Sequence, residues 1–179
     1  MSHFADARDL EGELIAFLAA YLASSDGARA RDVARGMGER AGLVLRTLDP
    51  QTVLSVDLLE GSVAPGAIED PNLEVELEAD ALHDILLGRL DPVQISRLVE
   101  TNRLVFSGAA SDLAALVALA GPLAPHYPAS LERRGRQDLL DTPRPESSAV
   151  WTTGPDAPMP EIINERRSWQ RPKRSAASV

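Results

Sequence analysis

The stretch LEVELEADALHDILL, Leu73 to Leu87, changes its period in mid-run, and that change constrains the fold more than any other feature. Leu73, Val75 and Leu77 alternate with Glu74, Glu76 and Glu78. Successive side chains of a strand point to opposite faces, so this is a half-buried strand with its acids toward water. From Ala79 the apolar positions are Leu82, Ile85 and Leu86, one face of a helix. A sheet with one covered face must therefore lead directly into a helix.

The same reading extends both ways. Asp9–Ala23 is a helix, with Leu10, Leu14, Phe17, Leu18, Tyr21 and Leu22 at three-and-four spacing, closed by the turn residues Ser24–Gly27. A more polar helix over Arg29–Arg40 turns Val33 and Met37 inward. Leu43–Leu48 and Val53–Leu58 are strands separated by Asp49-Pro50, and Val63 starts a short third segment ending at Pro65-Gly66. Gly88 stands where a helix beginning at Ala79 needs a left-handed cap. Asp91-Pro92 is an N-cap followed by proline at the first helical position, opening a helix that carries Ile95, Leu98 and Val99. Arg103–Ser107 is a strand with Leu104 and Phe106 on one face. Ser111 then caps a helix in which Leu113, Leu116, Val117 and Ala120 form the buried stripe. PLAPHYPASLERRGRQ reads as a proline-punctuated exit, with His126 and Tyr127 in a loop. From Asp141 prolines recur at 143, 145, 155, 158, 160 and 172 among few apolar residues, a tail that cannot build its own core.

The segments VLSVDLLEGSV, LEVELEADAL, LLGRLDP and NRLVFSG, with the alanine-leucine helix that follows, resemble the sterol carrier protein family of small lipid-transfer domains. Members typically have a helix ending in Gly-Lys/Arg-hydrophobic-Asn/Asp-Pro, and Gly88, Arg89, Leu90, Asp91 and Pro92 match it. After a second helix comes a Gly-Lys-hydrophobic strand ending in glycine, matched by Arg103, Leu104, Phe106 and Gly108. The resemblance covers about Leu43–Ala124, and the Asp9–Ala23 helix extends it. Val93–Asn102 runs a few residues longer than usual. Glu100 and Asn102 stand where the family tends to have an apolar residue and a glycine.

The resemblance implies an α+β fold: a curved, mostly antiparallel sheet covered by helices around an apolar tunnel, with an extended Pro-rich C-terminal tail added. It divides the chain into a lipid-binding domain, 1–136, and a basic-ended tail, 137–179. The family binds sterols, fatty acids or acyl-CoA, as standalone carriers or as accessory domains of enzymes. On that basis the chain is a cytoplasmic carrier of a fatty acyl, sterol or isoprenoid ligand. The lining would be Leu82, Ile85, Leu86, Ile95, Leu98, Val99, Leu104, Phe106, Leu113, Leu116 and Val117. Two readings of ILLGRLDPVQI stay open: a plain corner between core helices, or a movable lid over the tunnel.

Composition removes several other classes. With no cysteine among 179 residues, disulfides, thiol catalysis and thiolate metal sites are excluded, which fits a reducing compartment. A net charge of −9 repels phosphate backbones, and aromatics at 4% leave few stacking platforms, so nucleic acid is not an expected partner. No apolar run approaches a membrane span, and the charged start MSHFADARDLEGEL lacks the order of a secretory leader. Lys173 is the only lysine, and the arginine and alanine bias fits a GC-rich bacterial genome.

No cofactor, metal or catalytic set is expected. His3, His83 and His126 are too scattered for a two-histidine metal motif. His83 and Asp84 are adjacent, so they diverge on a helix and read as surface residues. GMGERAG, Gly36–Gly42, lacks the preceding strand of a nucleotide loop. An enzyme using His126 or Glu100 as acid or base on an apolar substrate is the weakest alternative. A stronger one is an accessory or scaffold subunit that binds a partner enzyme or assembly through its C-terminal tail and helices, the first helix among them. Ile162, Ile163 and Trp169 among Arg166, Arg167 and Arg171 would be the anchors, since Trp and Arg often dominate interface energies.

Overall fold

The structure is a computed structural model and describes residues 2–35, 41–109, 111–112 and 123–143. Met37, the 113–122 stripe and the tail anchors at 162–171 lie outside those residues. In chain order the described elements are α1 (Ala7–Leu22), α2 (Ser25–Arg35), β1 (Gly42–Leu48), β2 (Thr52–Asp57), β3 (Ser62–Pro65), β4 (Leu73–Glu78), α3 (Ala79–Leu86), α4 (Pro92–Glu100), β5 (Leu104–Gly108), α5 (His126–Arg134) and α6 (Gln137–Leu140).

The five strands form one mixed sheet in the order β3-β2-β1-β4-β5. Three pairings are antiparallel and one, β1 with β4, is parallel. The architecture is thus α+β, with a mostly antiparallel sheet. The register stacks apolar residues in rows: Pro65, Leu54, Leu45, Val75 and Phe106 line up across all five strands. Thr52, Thr47, Leu77 and Leu104 form the neighbouring row. The opposite face carries Arg46, Glu74, Glu76 and Glu78, where Arg46 pairs with Glu74 at 3.5 Å and Arg103 pairs with Glu78. Leu48 and Val105 lie on that face too and are exposed, whereas Val44 there is fully buried. Beside it Gly42 leaves room for Ile68, whose Cδ1 lies 2.4 Å from where a Cβ would stand.

Helix α1 covers β2 and β3 on the apolar side, and the Thr52 hydroxyl donates to Ala7 O at 3.2 Å. Helix α5 lies antiparallel to α1. At one end His126 faces Asp26 at 2.8 Å, and its ring meets the edge of Tyr21. Phe17 and Tyr127 make an edge-to-face pair in the middle, with ring centres 4.9 Å apart. At the far end Arg134 and Arg136 reach the buried Glu13 at 3.1 and 2.5 Å, and Arg136 also grips Asp9 at 2.8 Å.

Two sequence expectations are corrected here. Helix α2 starts at Ser25, inside the expected turn, because Ser24 Oγ accepts from Gly27 N–H at 3.1 Å and caps it. Its buried stripe is Gly27, Ala30 and Ala34, while Val33 is 42% exposed. A Cβ on Gly27 would meet Tyr21 O at 2.4 Å, so small residues, not apolar bulk, let α2 approach the end of α1. The segment read as a proline-broken exit is helical. Pro125 precedes α5 and Pro128 lies in its first turn, where the N–H has no intrahelical partner to lose.

Candidate functional site

The corner ILLGRLDPVQI is built as its residues require. Gly88 takes φ +66 after α3, a left-handed conformation that glycine adopts without a Cβ clash. Asp91 then accepts from Gln94 N–H at 2.8 Å, while the Gln94 side chain accepts from Asp91 N–H at 2.9 Å, a complete capping box on α4. The corner sets α3 against β4 and β1, and α4 against β5.

Of the expected lining, Leu82, Leu86, Leu98 and Leu104 are buried. Ile85, Ile95 and Phe106 are half-buried. Val99 is exposed, as is Val93 in the first turn of α4. Leu98 is the only buried residue of α4. The described part of the expected lining therefore sits on α3, α4 and β5. Leu113, Leu116 and Val117 lie outside the described residues.

His83 is not at the surface: it is 1% exposed, and Asp84 is buried beside it. The spacing Ala79, Leu82, His83, Leu86 puts His83 in the buried stripe of α3, a signal present in the sequence. Its Nε2 lies 3.0 Å from Leu139 O, which can only accept, so Nε2 carries the proton and donates. Nδ1 is then the acceptor, and the Tyr127 hydroxyl donates to it at 2.9 Å. Burial pushes the His83 pKa down to about 4, against the opposing bond to Leu139, so the ring is neutral. The same burial holds the Tyr127 phenol above its ordinary range. Phe4 and His3 close the space around the ring, each with its ring centre 5.4 Å away.

Asp84 is raised by burial, opposed by Arg89 at 3.4 Å. Arg89 also donates to Leu140 O at 2.7 Å and to Thr142 Oγ1 at 2.6 Å. Both nitrogens of His83 are thus committed, and it is no free general base. His126 opens α5 and Glu100 ends α4, on separate elements. Among the described residues no group of three or more acidic or histidine side chains has the arrangement to hold a metal ion, and no helix is long and apolar enough to cross a membrane.

No family model matches the chain, and no curated protein matches it. Among solved structures it is similar to the UbiJ-SCP2 ubiquinone synthesis protein, with 21% identity and a TM-score of 0.48 over 63% of this chain and 94% of that one. It is similar to sterol carrier protein domain 2 of Helicoverpa armigera, at 13% identity and a TM-score of 0.49, covering 61% of this chain and 83% of that one. Sterol carrier protein 2 from Yarrowia lipolytica, in its apo form, has 16% identity and a TM-score of 0.48, with 66% and 91% covered. It is also similar to part of the sec-alkylsulfatase Pisa1 from Pseudomonas sp., with 18% identity and a TM-score of 0.39 over 52% of this chain and 14% of that one. At these identities and scores the likeness says nothing about ligand or activity.

Proposed function

We propose that the chain is a non-catalytic carrier of an apolar ligand, held between the β4–β5 side of the sheet and the α3–α4 cover. The observation that carries this reading is the incomplete burial of Ile85, Ile95 and Phe106 on three neighbouring elements that otherwise bury Leu82, Leu86, Leu98 and Leu104. Three partly open apolar side chains on adjoining elements leave surface that an apolar ligand can cover. Here large aliphatic side chains line the underside of a cover with little packing of its own. The resemblance of the Gly88–Pro92 and Arg103–Gly108 motifs to the sterol carrier family supports the same reading. Each methylene of an acyl or isoprenoid chain buried there would contribute about 0.8 kcal/mol, so a long chain binds with no polar contact. The commitment of both His83 nitrogens favours binding over catalysis.

Ile85→Glu tests the placement. Titration with a fluorescent fatty acid should show saturable binding to the wild-type protein and at least about tenfold weaker binding to the variant, since a buried carboxylate opposes an apolar ligand. A folded Ile85→Glu protein that binds equally well would move the site elsewhere.

A further inference from the structure

The α3–α4 corner is held by polar contacts more than by packing. Gly88, Asp91, Pro92 and Val93 are exposed, and Leu87 and Leu90 are only half-buried. What grips it is the chain segment that follows α5. Arg89, inside the corner, donates to Leu140 O and Thr142 Oγ1. His83, six residues earlier on α3, donates to Leu139 O. The Thr142 hydroxyl folds back onto Leu139 O at 2.9 Å, which leaves it facing Arg89 as an acceptor. Asp84 steadies Arg89 from below, through its side chain and through the bond from Arg89 N–H to Asp84 O at 2.9 Å.

The base of this segment is fixed independently. Arg136 binds Asp9 and Glu13 on α1 and Asp138 within the segment, and the Leu139 side chain is fully buried. One end is therefore moored on α1 while the other grips the corner. The two ends of the corner–α4 unit also have hinge-like backbone: Gly88 at φ +66 and Asn102 at φ +56. Between them α4 buries Leu98 alone.

We propose that Leu139–Thr142 is a strap that holds the α3–α4 corner closed, and that its release lets α4 move off β5. The Arg89 bonds to Leu140 O and Thr142 Oγ1 are part-buried and exchange with water at small net cost, so the strap opens there without unfolding the body, while the buried His83–Leu139 bond stays. The role of this opening in ligand entry rests on the carrier reading above. The strap itself does not.

Thr142→Val keeps the side-chain shape and removes the hydroxyl that meets Arg89; Arg89→Gln removes the guanidinium. Hydrogen exchange of the full chain, read by mass spectrometry, decides the case. The strap predicts that amides of residues 85–91 exchange several-fold to about tenfold faster in each variant, the loss of one or two net hydrogen bonds, while α1, β1 and β2 keep wild-type rates. Unchanged exchange at the corner in both variants would overturn it. A uniform rise that includes α1 would also overturn it, as general destabilisation. In parallel, release of a bound fluorescent fatty acid should speed up by the same factor as corner exchange. If wild-type protein takes up no fatty acid, the carrier reading fails, while the exchange result still decides the strap.

Discussion

Helices α1 and α4 both lie against the sheet, but they are opposites. Helix α1 buries Leu10, Glu13, Leu14, Phe17, Tyr21 and Leu22, and its acids are locked by arginines 121 to 127 residues away. Helix α4 buries Leu98 and exposes Val93 at 63% and Val99 at 43%. Yet α4 is the better finished helix locally, with a proline at its start and a full capping box. Local signals can thus shape a helix that makes few tertiary contacts. The difference separates a core, where extensive packing sets stability, from a cover, a nine-residue helix that is marginal alone and rests on few contacts.

The largest expected effect breaks this comparison most openly. Phe17→Ala should cost about 3–5 kcal/mol, a fully buried aromatic leaving a cavity. Ile95→Ala, half-buried on the cover, should cost about 1 kcal/mol or less, because less area leaves water. Urea denaturation of both variants checks this. Similar losses would mean that α4 is core and the cover does not exist.

A somewhat smaller effect reads the junction between the two regions. In the unfolded chain His83 titrates near 6.5, and in the fold near 4. Between these values the unfolded state binds the proton and the folded state does not, so stability must fall as pH drops through this window. The full loss is roughly 3 kcal/mol. Asp84, raised by burial, works in the opposite sense, so the difference between wild type and His83→Gln isolates the histidine. The variant should be less stable at pH 7 and should lose much of the pH slope between 6.5 and 4. A slope identical to wild type would mean that His83 is not held neutral by the fold.

The smallest effect sharpens the account of α4. Asn102 sits at φ +56, where the sterol carrier pattern has glycine. The departure is therefore chemical, not conformational: asparagine tolerates the left-handed region, though less well than glycine. Asn102→Gly should raise the midpoint of thermal unfolding by an amount equal to about 0.5 kcal/mol. A loss of stability would point to a side-chain role for Asn102.

The outline of the fold was legible because it rests on local periodicity. The glutamate-leucine alternation of β4, the glycine after α3 and the Asp-Pro opening of α4 each state their geometry within a few residues. What was missed depends on distant partners. His83 is buried because Tyr127 and Leu139, 44 and 56 residues away, meet both its nitrogens. Glu13 is buried because Arg136 neutralises it across 123 residues. Helix α2 was misread because close approach selects glycine and alanine, which carry little apolar signal. The exit after Pro122 was misread because a proline at a helix start looks the same in sequence as one that breaks a helix. The aliphatic residues of α3, α4 and β5 were named from the sequence and lie on neighbouring elements. Their service as a lining is the proposal made above.

The most direct test of that central claim is native mass spectrometry of the purified full chain, followed by organic extraction and mass analysis of what is released. The carrier account predicts an apolar molecule bound near one per chain, with a long aliphatic or isoprenoid body. A protein that arrives empty, and stays empty when offered fatty acids, sterols and isoprenoids, would contradict it.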